Sequence, residues 1–198
     1  MTTTIQPRTL KTRARLIEAA TDIVAESNFT ELRVEEVVRR AGVAKGTFFA
    51  HFKDKDALLD RMIGEIIDQH LDQISAQNTP KTIDQILDTL TPLMRFMGSE
   101  RAVFDVILRY SGAASVEEIG PIAATFERFI HVLADWFVDG PFRQDADPAT
   151  LAEGVQAFVF QALALNFCAL NNHRPVRDRL RPYLELWLNP AKTLDPQG

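Results

Sequence analysis

The stretch Ala41-Gly42-Val43-Ala44-Lys45-Gly46-Thr47-Phe48-Phe49-Ala50-His51-Phe52-Lys53-Asp54-Lys55 decides how this chain is read. Gly42 can take a positive φ at low cost, so it can end one helix and reverse the chain. Val43 then points back toward a core. Phe48 and Phe52 are four residues apart and form one apolar stripe, which leaves Lys45, Thr47, Phe49 and His51 on the other side. Gly46 has no side chain and Thr47 a small one, so a second surface can come close there. A short helix with one apolar face and one small, donor-rich face suits the major groove of DNA.

Outward from this stretch the pattern is helical throughout, and no clear strand is expected. Upstream, Leu16, Ile17, Ala20, Ile23 and Val24 recur at helical spacing in a helix from about Lys11 to Ser27, with Asn28 as a left-handed stop. Residues 1–9 are expected to be disordered. Arg8, Lys11, Arg13 and Arg15 read either as a basic arm or as a solvated helix start. A second helix, about 34–41, buries Val34, Val37, Val38 and Ala41, and the third is about Lys45–His51. Asp54 then caps a long fourth helix that ends before Asn78-Thr79-Pro80. Later helices are expected at about 81–97, 101–111, 120–138, 148–171 and 175–188. Pro92 should kink the first of these, Gly112 to Ser115 should break the chain, and the tail Asn189–Gly198 should be loose.

Ala41 to Leu59, with Arg33-Val34-Glu35-Glu36-Val37-Val38-Arg39-Arg40 before it, resembles the TetR-type transcriptional regulators, whose usual pattern is a helix followed by AGVSKGTFYxHFxxKExL. The resemblance covers roughly residues 10–60. It implies an all-α protein of about nine helices. A three-helix helix–turn–helix DNA-binding domain (1–53) would precede a helical effector-binding and dimerisation domain (54–198). Three positions depart from the pattern. Arg33 stands where Thr or Ser commonly caps the second helix, Ala44 where Ser often touches a phosphate, and Phe49 where Tyr is common.

Composition is compatible with this. A hydrophobic content of 46% with 25% charged residues is ordinary for a globular protein. The net charge of −5 is unevenly spread. Residues 1–55 carry 10 Lys and Arg against 7 Asp and Glu, a net of +3, whereas residues 56–198 carry 12 against 20, a net of −8. Basic charge gathers where DNA would be met. The single Cys168 rules out an intrachain disulfide framework and fits a reducing cytoplasm. No apolar leader and no run of the length a membrane span needs occurs, so a soluble cytoplasmic protein is expected.

Nine of the 13 Phe lie between Phe96 and Phe167. They read as core, or as the lining of a pocket for a largely apolar or aromatic small molecule, and the resemblance favours the second. Phe96, Phe104, Phe126 and Phe129 are the aromatic candidates. Arg109, His131 and Asn166 are polar residues inside apolar runs, and a buried polar group needs a partner. Arg109 can instead pair with Asp105, His131 with Asp135, and Asn166 can lie at a subunit contact. The last two helices are apolar around much of their circumference and read as an interface. Phe158, Leu165, Leu180, Tyr183 and Trp187 are its candidates, and the resemblance implies a homodimer.

Enzyme chemistry has no visible motif. The four His are far apart in sequence, no His-x-x-x-His or Cys-x-x-Cys pair occurs, and there is no Gly-x-Ser-x-Gly or phosphate-cradling Gly loop. No catalytic residue, metal or cofactor is expected. Cys168, between Phe167 and Ala169, reads as inert packing.

The expected function is a ligand-responsive regulator: most simply a repressor that binds palindromic double-stranded operator DNA as a dimer and is released by a small molecule. Lys45 and Thr47 are the base-edge candidates, and Gly46 permits close approach. Phe49 offers apolar contact. His51, Lys55, Arg39 and Arg40 are the phosphate candidates. Two alternatives stay open: an activator, and a ligand- or partner-binding helical protein whose DNA binding has weakened.

Overall fold

A computed structural model describes residues 7–112 and 119–189. The described residues contain nine helices and no strand: α1 (Pro7–Glu26), α2 (Val34–Ala41), α3 (Lys45–His51), α4 (Lys55–Ser75), α5 (Ile83–Met97), α6 (Arg101–Ser111), α7 (Pro121–Ala134), α8 (Pro148–Asn166) and α9 (Val176–Leu188). The all-α expectation holds. No helix among the described residues is long and apolar enough to cross a membrane. The N-terminal residues 1–6, most of the break expected at 112–115 and the tail beyond Asn189 lie outside the described residues.

Several boundaries differ from the sequence expectation. Residues 7–9, expected to be disordered, form the first turn of α1. A proline at a first helical position forfeits no intrahelical bond, so Pro7 suits that place. Asn28 is not left-handed, since the one positive φ among the described residues is that of Gly42. Its side-chain Oδ1 instead accepts from the Glu31 N–H at 2.9 Å, and the turn after α1 is built on that bond. After Ala134, α7 gives way to tight turn bonds from the Trp136 and Phe137 N–H groups to the carbonyls of Leu133 and Ala134. Expected to reach residue 171, α8 stops at Asn166. The turns that follow place the Asn171 carboxamide 3.4 Å from Cys168 Sγ, and that hydrogen bond holds the thiol below its ordinary pKa.

The chain divides into two compact units, Met1–Ile66 with Ala102–Ala123, and Ile67–Arg101 with Ala124–Gly198. In the first, Leu16, Ala20, Val37, Phe48, Leu58 and Ile63 supply a buried core. Asp54 Oδ1 accepts from the Ala57 N–H at 2.8 Å and caps α4. On the following turn Asp60, only 7% exposed, accepts from the Ile122 N–H at 3.1 Å, so a carboxylate of α4 meets a backbone donor at the start of α7. Burial pushes the Asp60 carboxyl above the ordinary range, and the Ile122 bond pulls the other way. Arg109 of α6 forms an ion pair with Asp56 of α4.

In the second unit α5 buries Ile86, Leu87, Leu90, Leu93, Met94 and Met97, and α8 and α9 pack together and against α5. Thr82 and Asp147 cap α5 and α8 through Gln85 N–H and Thr150 N–H. Pro92 lies inside α5, and the Thr91 hydroxyl beside it donates to the Leu87 carbonyl at 2.6 Å. The Gln156 carboxamide of α8 donates to the Phe126 carbonyl at 2.9 Å, and Arg128 of α7 bonds Asp68 and Asp72.

Gly64 is where α4 and the start of α7 come closest. A Cβ there would stand 2.6 Å from Pro121 Cβ and 2.9 Å from the Ile122 nitrogen. Alanine in a helix interior is worth about 1 kcal/mol over glycine, but forcing a methyl against backbone costs about 1–3 kcal/mol. The clash wins. Gly64→Ala is expected to lower stability by up to about 2 kcal/mol, read as a lower urea midpoint at unchanged slope.

Candidate nucleic-acid interface

Seven residues of α3 carry the candidate interface, and α2 and α1 aim it. At the end of α2, Gly42 has φ 64° and ψ 42°. Its N–H bonds the Arg39 carbonyl at 3.2 Å and the Val43 N–H the Val38 carbonyl at 3.0 Å, a closure that only a left-handed residue permits cheaply. The Arg15 guanidinium of α1 donates to the Ala41 carbonyl that this closure leaves free. Phe48 is fully buried, and Phe52 nearly so, with ring centroids 5.5 Å apart. The Arg13 guanidinium lies over the Phe52 ring at 5.2 Å. Arg13 and Arg15 thus belong to a helix that buttresses the turn.

Opposite this anchor, Lys45, Gly46, Phe49 and Ala50 are exposed, and Thr47 and His51 half-buried. Phe49, 50% exposed, stands edge-on to Phe48 with centroids 5.3 Å apart. A Cβ on Gly46 would meet no atom of the chain within 4 Å. Nothing inside the protein crowds that position, and the space above it is open. Neither Arg33 nor Ala44 makes a side-chain cap bond, as their departures from the usual pattern led one to expect.

The basic candidates are mostly held by acids. Lys45 Nζ donates to Glu35 Oε1 at 2.5 Å, and that bond holds the Glu35 carboxyl below the usual range. Arg39 pairs with Glu36 at 2.5 Å, and Arg40 grips both oxygens of Glu26 at 2.7 and 2.8 Å. Glu26 and Glu35 are solvent-exposed and Glu36 is half-buried, so a phosphate can take their place at small cost. Lys55, half-buried at the start of α4, has no acidic partner among the described residues. Lys53 is exposed, equally unpaired, and adjoins Phe52. Sequence reading passed over it, and its place one residue beyond the apolar stripe was the available signal.

The seven ligand candidates are divided between the two units. Phe104 is buried in the first unit, where Arg109 is exposed beside Asp56. In the second unit Phe96 stacks near His70 with centroids 5.9 Å apart, Phe126 meets Phe160 at 4.7 Å, and Phe129 is core. His131 is exposed, with Nδ1 2.9 Å from the Glu127 carbonyl oxygen. Asn166 lines a cleft between α5, α8 and α9. Of the interface candidates, Phe158, Tyr183 and Trp187 form one half-buried aromatic cluster with centroids 5.4 and 5.9 Å apart. Trp187 lies over Gly154, where any Cβ would strike its ring at 2.4 Å, and donates to the Leu151 carbonyl at 3.0 Å. Leu165 is half-buried, and Leu180 is fully covered within its own chain.

Residues 16–62, which span α1 to the first turns of α4, match the family model of the bacterial regulatory proteins, tetR family. Those residues are a TetR-family unit. The fold of the whole is the family's as well. A TetR-family transcriptional repressor of Thermus thermophilus, FadR with lauroyl-CoA, is 18% identical over 94% of this chain and 100% of its own, with a TM-score of 0.64. The regulator FadR of Bacillus subtilis with stearoyl-CoA gives 14%, 88%, 97% and 0.60. Salmonella enterica GusR gives 22%, 93%, 97% and 0.59. At these identities the shared property is the fold. The resemblance and fold class read from the sequence both hold.

The Lys45–Glu35 pair yields a test. Glu35→Gln frees the lysine and removes a negative charge from the face. It should tighten binding to duplex DNA several-fold at low salt, an advantage that shrinks as salt rises. Fluorescence anisotropy at two salt concentrations reads it, and equal affinity of variant and parent would place Lys45 outside the interface.

Proposed function

We propose that this TetR-type chain is a transcriptional repressor that acts as a dimer on palindromic operator DNA and is released by a small molecule. The observation that carries the proposal is the small, open face of α3, built on a buried Phe48 anchor with free space above Gly46. In this reading residues 1–53 bind DNA, and residues 54–198 receive the effector and dimerise. Thr47 offers a hydroxyl and a methyl to base edges, Lys45 leaves Glu35 for guanine acceptors, and Phe49 packs on a thymine methyl or a sugar. His51, Lys55, Lys53, Arg39 and Arg40 hold phosphates and set the register.

Dimerisation through Phe158, Tyr183 and Trp187, with the 82% exposed Leu186 nearby in sequence, gives that aromatic cluster the cover it lacks in one chain. Two-fold pairing suits half-sites about 34–36 Å apart. The 21 residues of α4, about 30 Å long, start at the DNA-binding unit and continue past Ile66 into the second unit. An effector that favours one setting of α4 through differential affinity would release the DNA. The acyl-CoA complexes of the two FadR proteins support an effector role for the second unit. A cytoplasmic location follows from the role.

The acids that hold Arg39, Arg40 and Lys45 favour a second reading, a chain with weakened DNA binding. Gel retardation with DNA upstream of its own gene separates the two. The repressor reading predicts a salt-sensitive complex, and no retardation at low salt would favour the second. Within the first, Lys55→Ala should weaken specific and random duplex alike and reduce the salt slope by about 1. Thr47→Ala should relax preference at one or two positions by about 1–3 kcal/mol. Unchanged mismatch penalties would remove Thr47 from base reading.

A further inference from the structure

The cleft between the end of α5, the end of α8 and the start of α9 has a volume of about 290 Å³. Met94 and Leu163, both buried, form its floor, and Arg95, Ser99 and Asn166 stand among its lining. Gly98 sets its depth. A Cβ there would stand 3.0 Å from Leu163 Cδ2, so the glycine lets the end of α5 close on α8.

Two polar side chains that make no hydrogen bond or ion pair among the described residues border this cleft. The half-buried Asn166 carboxamide makes no hydrogen bond among the described residues and stands beside the apolar floor, so it is open to a ligand. Arg95 has no carboxylate partner among the described residues. Arg128, Arg143, Arg177 and Arg181 of the same unit each hold an aspartate. No acidic side chain lines the cleft, and its second guanidinium, that of Arg177, is already met by Asp88 at 2.7 Å. The site therefore combines one free cation, a free amide and a hydroxyl with an apolar floor. At about 30 Å³ per water-sized group the space takes on the order of ten non-hydrogen atoms.

We infer that this cleft binds a small amphipathic monoanion, its carboxylate on Arg95 and Asn166 and its apolar body over Met94 and Leu163, and that this ligand is the effector. The inference rests on the reading of the chain as an effector-released regulator, and it adds a negative charge to the largely apolar or aromatic ligand expected from the sequence.

The probe is 3-phenylpropionate, titrated calorimetrically into the full chain without DNA, with uncharged 3-phenylpropanol as its partner. Saturable binding at one site per chain is expected. It should weaken about tenfold or more in Arg95→Ala, as loss of a charge-assisted bond implies, and recover in part in Arg95→Lys. The alcohol should be weaker by a similar factor. Arg95 is exposed, so these variants should fold. No saturable binding at millimolar acid, or binding indifferent to Arg95→Ala, would overturn the assignment. The same acid is then added to a protein–DNA complex, and a complex that persists at saturation would overturn the effector role. A chain that binds the acid but no duplex keeps the cleft assignment and ends the regulator reading. A chain that binds duplex but not the acid does the reverse.

Discussion

With seven residues and no side-chain cap at Ala44, α3 closes too few backbone bonds to persist alone. What holds it is burial of Phe48 and Phe52, reached through a chain reversal at Gly42. That reversal leaves the Ala41 carbonyl open, and Arg15 closes it from α1. The direction of every side chain on the open face, from Lys45 to His51, follows from this anchor. It also explains how the departures at Arg33, Ala44 and Phe49 are tolerated. They remove polar contacts at the rim, while the apolar anchor beneath is complete.

Within the same unit, α4 is bonded on both flanks. Asp54 caps its start just beyond Phe52, and Asp60 and Gly64 fasten it to the beginning of α7. The helix that follows the DNA-binding turn is thus committed to α7 before it leaves the unit at Ile66. Two states that differ at the start of α7 would therefore differ in α4 as well, which is the physical requirement for linkage between an effector and DNA.

Legibility in the sequence followed the range of the interaction. The spacing of Phe48 and Phe52, the Gly42 stop and the Asp54 cap are local, and the structure has all three. The Arg15 bond to Ala41 and the Asp60 bond to Ile122 join residues 26 and 62 positions apart, beyond any periodicity. The candidate ligand residues show a different limit of periodicity. Arg109 and His131 stand inside apolar runs of sequence, yet a helix turns 3.6 residues per circuit. Such a run wraps all sides, and both residues face solvent. Asn166 was legible as a polar residue in an apolar run, but its neighbours in the cleft, Arg95 and Ser99, come from α5 and the turn after it, some 70 residues earlier.

In the proposed function α3 reads duplex DNA as one half of a symmetric pair. Selection of bound duplexes from a random pool by the full chain, followed by sequencing, tests it most directly. Enrichment of a two-fold symmetric site whose half-sites lie about one helical turn apart is expected. A pool that stays random after repeated rounds, or that converges on a single asymmetric site, would contradict it.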